Sequence, residues 1–362
     1  MMARSKGGAY WLANAPCALS SIHIAGKNLP ITQPLRVWQK NQRRQTYVLS
    51  PRSAWIDYAK EEALRRVPAG LRWPAKVAVN CAMSPLSLVL HACGLDKAVA
   101  IGNHLISTNL YSEWQQPEVL ALRDELVSLY PTNPLVIRNI CPEVNPQLAD
   151  ALQKTGWSLI PARMVYLCDP QQKSVWKHNH VKQDAKLLAS PDIQIVRPEQ
   201  ITASDLPELR NLYRQLFIDK HSMLNPDFTP AFFELCLESG FLDLYALRLQ
   251  DKLVGVLGLY EHAESGWLTT PLIGYDTSLP QEKGIYRCLM ALLLQQARER
   301  QLRLHYSSGA SQFKRARGGV ASLEYTAVFS AHLAYPKRLT NSLFARSMQQ
   351  LAPTILKQAD GL

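Results

Sequence analysis

Apolar positions in the second half of the chain alternate between two periods. Residues 193–197 alternate singly, as a strand does, whereas 205–219 place Leu206, Leu209, Leu212, Tyr213, Leu216 and Phe217 on one helical face. A second helix is expected over 228–239, where Gly240 stops it. Strands follow at 242–250 and 253–262, joined through Asp251 and Lys252, and a third strand spans 267–275. The order closes with a long amphipathic helix (283–301), a strand (303–307), a short helix or turn (312–317), a strand (324–333) and a C-terminal helix (339–359).

In the first half, 76–81 and 98–101 read as short strands, and 85–93 as an apolar helix or strand ending at Gly94. An amphipathic helix is expected over 117–129, a strand at 135–140, a helix at 146–154 capped by Gly156, and a strand at 164–168. Nearer the start, the basic run Lys40–Arg44 precedes a strand-like 45–49, and 55–66 has helical periodicity. Strands alternating with helices predict an α/β class. At 362 residues the chain is about two domains long. We expect an N-terminal extension at 1–75 packed on a first domain at 76–170, a polar linker at 171–192, and a second domain at 193–362.

Composition narrows the class further. A hydrophobic share of 47% with 19% charged residues excludes a largely disordered chain. No uninterrupted apolar run approaches the ~18 residues that cross a bilayer, and residues 1–16 lack the apolar core of a signal peptide. Forty Lys and Arg against 29 Asp and Glu give a net charge of +11, which suits an anionic partner. The seven cysteines are scattered without a CxxC pair, and His178 and His180 have no third ligand nearby, so no metal is expected. Reduced thiols in apolar stretches point to a cytoplasmic protein.

Two segments carry candidate chemistry. Strand 267–275 leads into Gln281-x-x-Gly284-x-Tyr286, which opens the long helix. A helix start presents unpaired N–H groups to an anion, and a glycine there permits close approach. Strand 303–307 is followed by Ser308 and then Phe313-Lys314-Arg315-x-Arg317-Gly318-Gly319. In this order the two segments resemble the GNAT superfamily of acyltransferases, in its FemAB-like tandem branch. There a Gln/Arg-x-x-Gly-x-Gly/Ala loop holds the pyrophosphate of coenzyme A or the phosphopantetheine of a carrier protein. Here Tyr286 stands at the second glycine, as is common in the FemAB-like branch. Phe313 to Gly318 is similar to that branch's FK+xxG segment, and Lys220-His221-Ser-x-x-Asn225-Pro226 resembles its substrate-side loop. The likeness is good over 193–335. Over 76–168 it fits a degenerate first repeat with no phosphate loop of its own.

The resemblance implies an α/β (α+β) fold of tandem GNAT-like domains, with a mixed central sheet flanked by helices. It also implies a donor arm lying between two splayed strands, near 272–275 and 304–307. Gln281, Lys283, Gly284, Tyr286, Arg287, Lys314 and Arg317 would then meet the donor, and Lys220, Asn225 and Tyr275 the acceptor. His221 is the candidate general base, since imidazole titrates near working pH, with Asp276 as a second. Ser307 and Tyr306 are candidates for protonating the leaving thiol, with Ser308 beside them.

The function expected is transfer of an acyl group, a fatty acyl group among the candidates, from acyl-CoA or an acidic acyl carrier protein to an amine. The acceptor would be a small molecule, amino acid or peptide, attacking directly without a covalent enzyme intermediate. A Fem-like transferase drawing on aminoacyl-tRNA is the alternative, although no long heptad run supplies a coiled-coil arm. A non-catalytic basic binding protein is the third, and Arg315 to Gly319 is too short an RGG-like element to argue for nucleic acid.

Overall fold

A computed structural model describes residues 6–35, 45–65 and 67–362. The run Lys40–Arg44 and the last residue of the expected helix 55–66 lie outside the described residues. The strands are β1 (Cys17–Ile24), β2 (Lys27–Pro34), β3 (Val99–Ile101), β4 (Leu135–Ile140), β5 (Ser158–Cys168), β6 (Ile193–Val196), β7 (Asp243–Leu249), β8 (Lys252–His262), β9 (Trp267–Tyr275), β10 (Arg303–His305) and β11 (Val320–Phe329). The helices are α1 (Gly8–Trp11), α2 (Tyr58–Arg65), α3 (Arg72–Cys93), α4 (Gln116–Leu129), α5 (Pro146–Lys154), α6 (Asn179–Leu188), α7 (Leu206–Arg214), α8 (Pro230–Ser239), α9 (Ile285–Glu299), α10 (Ser311–Arg315) and α11 (Tyr335–Ala359).

The eleven strands among the described residues form one mixed sheet in the order β1-β2-β3-β4-β11-β5-β10-β9-β8-β7-β6, the α/β class that the periodicity predicts. Two halves repeat the same path: a hairpin, a third strand, a helix, a fourth strand, a short helix and a last strand. In each half the third and fourth strands are parallel over only three residue pairs, β3 with β4 and β9 with β10. The last strands are exchanged. β11 of the second half lies beside β4 of the first, β5 of the first lies beside β10 of the second, and β5 and β11 pair along their length.

The segment expected as an extension contributes β1 and β2 to this sheet, and the polar segment 171–192 contains α6, which packs on α9. The β1–β2 hairpin escaped the sequence reading because Ser, Thr, Asn and Pro blur its alternation. Its two-residue turn, Ala25 and Gly26, has positive φ at both positions, the twist that a tight hairpin needs. The expected strand 76–81 is instead part of α3, which is apolar on most sides, so spacing there does not separate strand from helix. Residues 45–49 form turns, with Thr46 and Tyr47 donating to the carbonyls of Asn14 and Leu224. The expected helix 205–219 continues past α7 as a wider π-helical turn through His221.

Helices α6 and α9 cover one face of the second half, and α7 and α8 cover the other. Gly274 in β9 lets α7 approach closely: a Cβ there would lie 2.5 Å from the backbone N and Cα of Tyr213. The core under α7 and α8 also contains Leu105, Ile106 and Val165 from the first half, so the two halves share one interior.

Candidate active site

Strands β9 and β10 part at Thr269 and His305, their last paired residues. From there the chain turns from β9 toward β5, with Tyr306 N donating to Tyr166 O at 2.8 Å and Tyr166 N to Ser307 O at 3.2 Å. β9 runs on to Tyr275 with β8 on one side only. It is also bulged where the strands part. Gly258 pairs with Leu272 and Tyr260 with Thr269, and Pro271 within the bulge has no N–H to donate. An open strand edge of this kind receives an extended ligand as a further strand. Ser307 sits at the vertex with φ +60°, a conformation that costs a non-glycine residue about 1 kcal/mol.

That strain is held by a buried polar network spanning both halves. Thr108 Oγ1 donates to Ser307 Oγ at 2.9 Å, and Ser307 N donates to His305 Nδ1 at 3.1 Å. Arg163 clamps Glu324 through Nε and a second nitrogen, at 2.6 and 3.1 Å, and also reaches Ser107 O and Thr108 Oγ1. Asn139 donates to Glu324 at 2.8 Å. Burial works to raise the Glu324 carboxyl, but Arg163 and the other donors outweigh it and hold it below the usual carboxylate range. Burial pushes His305 down to about 4. It is therefore neutral, and because Nδ1 accepts from Ser307, its proton sits on Nε2, 3.6 Å from Glu324. Lys314 Nζ donates to the carbonyls of Ser308 at 2.6 Å and Ser307 at 3.3 Å, and burial lowers it to about 7.

In the first half the corresponding vertex is filled by the chain itself. Arg138, half-buried just past the last pair of β3 with β4, donates to Asn103 at 3.1 Å, and Asn109 donates to Asn139 at 3.0 Å. This repeat has polar side chains where the second has an open edge.

The start of α9 is partly enclosed. Gly284 is left-handed, at φ +61°, and a side chain there would run into Leu187 of α6. Arg287 and Arg317 converge on buried Asp184 at 2.6 and 2.5 Å, and Arg317 stacks on Phe313. One carboxylate thus holds both guanidinium groups and offsets one of their two charges, while Gln281 and Lys283 are exposed on the approach to α9. Tyr286 lies between Tyr275 and Phe313, with ring centroids 6.2 and 5.0 Å away, so an aromatic group stands at the far end of the open edge.

The remaining predicted residues divide. Tyr306 points opposite to His305, into the core beside α6, and bonds Cys168. Asp276 caps the turn after β9: Lys252 Nζ at 2.6 Å and Ser278 at 2.5 Å donate to it, and these bonds override the upward push of burial to keep its carboxyl below the usual range. Asn225 is buried and donates to the carbonyls of Phe217 and Ser222, bracing the turn that displays Lys220 and His221. Lys220 Nζ is 5.9 Å from the Tyr275 ring. His221 is exposed, with its pKa lowered by partial burial and by Arg65 and Lys220.

A cavity of about 560 Å³ lies between the halves, walled by the β1–β2 hairpin, α1, α8 and residues 103–105. Trp11, Phe232 and Phe241 supply apolar surface, Asn103 and His104 polar groups, and among the described residues no Asp, Glu, Lys or Arg lines it. Burial lowers His104 to about 4, so it faces the cavity uncharged. The chain that lines the cavity at 103–105 reaches Ser307 through Thr108, which couples the two places. Sequence reading missed Arg138, Arg163, Glu324 and His104. The signal available was a charged residue inside an apolar strand, as in LVIRNI, PARMVYL and SLEYTAVF.

Residues 177–315 match the family model described as an acetyltransferase (GNAT) domain. No curated protein matches the chain in sequence. The fold is similar to the C-terminal domain of a putative lysylphosphatidylglycerol synthetase from Agrobacterium fabrum (TM-score 0.51, 11% identity, 91% of this chain and 88% of that one). Further similar structures are L-PGS from Bacillus licheniformis (TM-score 0.48, 14% identity, 69% and 82%) and FemX (TM-score 0.47, 9% identity, 60% and 77%). Residues 177–315 thus carry an acyltransferase domain of the GNAT superfamily.

Proposed function

We propose that this GNAT-domain protein is an N-acyltransferase, moving an acyl group from a thioester of coenzyme A or of an acyl carrier protein to an amine. The observation that carries the reading is the open edge of β9 beyond Thr269, facing strained Ser307. A pantetheine arm laid along 270–275 would place its carbonyl near the bulge, where fixed backbone N–H groups stabilise an oxyanion without reorganising. The acceptor's body would occupy the cavity, whose uncharged lining suits a neutral, partly apolar molecule. The amine attacks, a C–N bond forms and the C–S bond breaks. His221, exposed and neutral near pH 7, is the base we assign to the amine's proton. Lys314, lowered to about 7, is the donor to the departing sulfur.

A second reading keeps the site and changes the donor to aminoacyl-tRNA. It is favoured by the ion pairing of Arg287 and Arg317 to Asp184, which engages two arginines expected to hold a pyrophosphate and offsets one of their two charges. The similar fold of a lysylphosphatidylglycerol synthetase domain accords with it.

The test is the shift in thermal midpoint with CoA, acetyl-CoA, longer acyl-CoAs and ADP at equal concentration. A ligand of the folded state adds about 2.7 kcal/mol at a hundredfold excess over its Kd. We expect a shift with acyl-CoA that exceeds that with ADP and falls in the exposed double variant Gln281→Glu/Lys283→Glu. No shift with any of them, together with stabilisation by aminoacyl-tRNA over uncharged tRNA, would select the second reading.

A further inference from the structure

We propose that α3 and α11 together form a face that docks the protein on an anionic lipid bilayer. The 22 residues of α3 make a rod about 33 Å long that is apolar yet stands almost wholly outside the core. Only Leu90 and Cys93, near its end, are buried. Trp73, Val77, Cys81 and Leu88 recur at helical spacing along one side, with Trp73 77% and Leu88 72% exposed. Helix α11 packs beside α3, with Asn341 Nδ2 donating to Cys93 O at 2.9 Å, and exposes Leu339, Leu343, Leu351 and Ile355. Single exposed leucines are ordinary, whereas two adjacent helices carrying this many are not.

Charge selects the occupant. Arg72 and Lys76 lie on α3, and Lys337, Arg338, Arg346 and Lys357 on α11, while neither helix contains an Asp or Glu. Glu61 and Glu62 on α2, which packs on α3, and Asp96, 3.3 Å from His91 of α3, are acidic groups beside this face, and the cations of α3 and α11 exceed them; apolar side chains with a cationic excess match the headgroup region of an anionic bilayer. A second copy of the same face would set cation against cation.

By length and composition α3 would reach across a membrane, which the sequence reading did not expect. Its attachments exclude that in this fold. Ile56, ahead of α2 and α3, and Leu95, Ala98 and Ala100, just after α3, pack in one core cluster. Both ends of the segment therefore lie on the same side, and α3 lies along the surface.

Flotation of the full chain with vesicles is the test. We expect it to float with vesicles of equal phosphatidylcholine and phosphatidylglycerol, to stay behind with phosphatidylcholine alone, and to be released by about 0.5 M salt, where the screening length falls to a few ångströms. Trp73→Glu/Leu88→Glu should cut partitioning at least tenfold with an unchanged thermal midpoint, and Lys337→Glu/Arg338→Glu should lower it on anionic vesicles. Equal flotation of parent and Trp73→Glu/Leu88→Glu overturns the proposal, as does no flotation at all. So does a dimer without vesicles that the same variant dissociates, which would give the face to a second copy.

Discussion

His305 is the residue on which the vertex turns, because it must stay neutral to accept from Ser307 while facing Glu324. Its folded-state value near 4 lies below the ordinary imidazole value of 6.5, and His104 is lowered to about 4 as well. A lowered folded-state value means that the unfolded chain binds the proton first as pH falls. Each histidine thus contributes stability that is full above 6.5 and is lost between 6.5 and 4, on the order of 3 kcal/mol apiece. Near pH 5 the pair gives a slope on the order of 2 kcal/mol per pH unit. His305→Asn retains an acceptor for Ser307 N and cannot titrate. We expect urea unfolding of that variant to show a clearly shallower slope than the parent between pH 6.5 and 4.5, and an identical slope would show that His305 does not stay neutral inside. None of this was visible in the sequence. His305 alternates with Tyr306, and residue types alone do not say which of the two faces the polar interior.

At the scale of elements, β9 is where sequence and structure agree most closely. Strand 267–275 has the bounds that the sequence predicts, a largely apolar run set between Gly266 and the turn residues Asp276 to Pro280, and the α9 start is legible from the glycine before an apolar helix. The role of Gly274 was not legible, since it depends on α7, some sixty residues earlier in the chain. A methyl group at 274 would collide with rigid helix backbone rather than with a side chain that turns aside. Overpacking of this sort costs about 1–3 kcal/mol. Gly274→Ala should therefore lower the thermal midpoint by several degrees. Gly266→Ala serves as the comparison, because its Cβ would meet nothing within 4 Å and only its φ of +70° is unfavourable. No loss in Gly274→Ala would mean that α7 yields without cost. Exchange of β5 and β11 was equally hidden. Both read as strands of their own halves, and pairing across 161 residues of chain, as in Arg163 with Glu324, leaves no local mark.

At the scale of the molecule that exchange decides how the protein unfolds. A chain of two separate domains would melt in two steps, each half keeping its own core. Here β4 has β11 as its neighbour, β10 has β5, and Leu105 and Val165 are packed with Leu209 and Phe228 in one cluster. Arg163, from the first half, neutralises Glu324, from the second, in a site where Glu324 is 1% exposed. Removing one partner of such a pair costs about 3–5 kcal/mol, because the other charge is left buried and unmatched. Loss of either half's last strand therefore strips the other half of both a strand and a charge partner. We expect a single endotherm by scanning calorimetry, with calorimetric and van't Hoff enthalpies in agreement despite the chain's length. Arg163→Met should move that endotherm downward as one peak, and residues 1–192 made alone should lack dispersed amide resonances. Two resolved transitions, or a folded 1–192 fragment, would show that the halves close their own sheets and that the vertex at Ser307 is held by the second half alone.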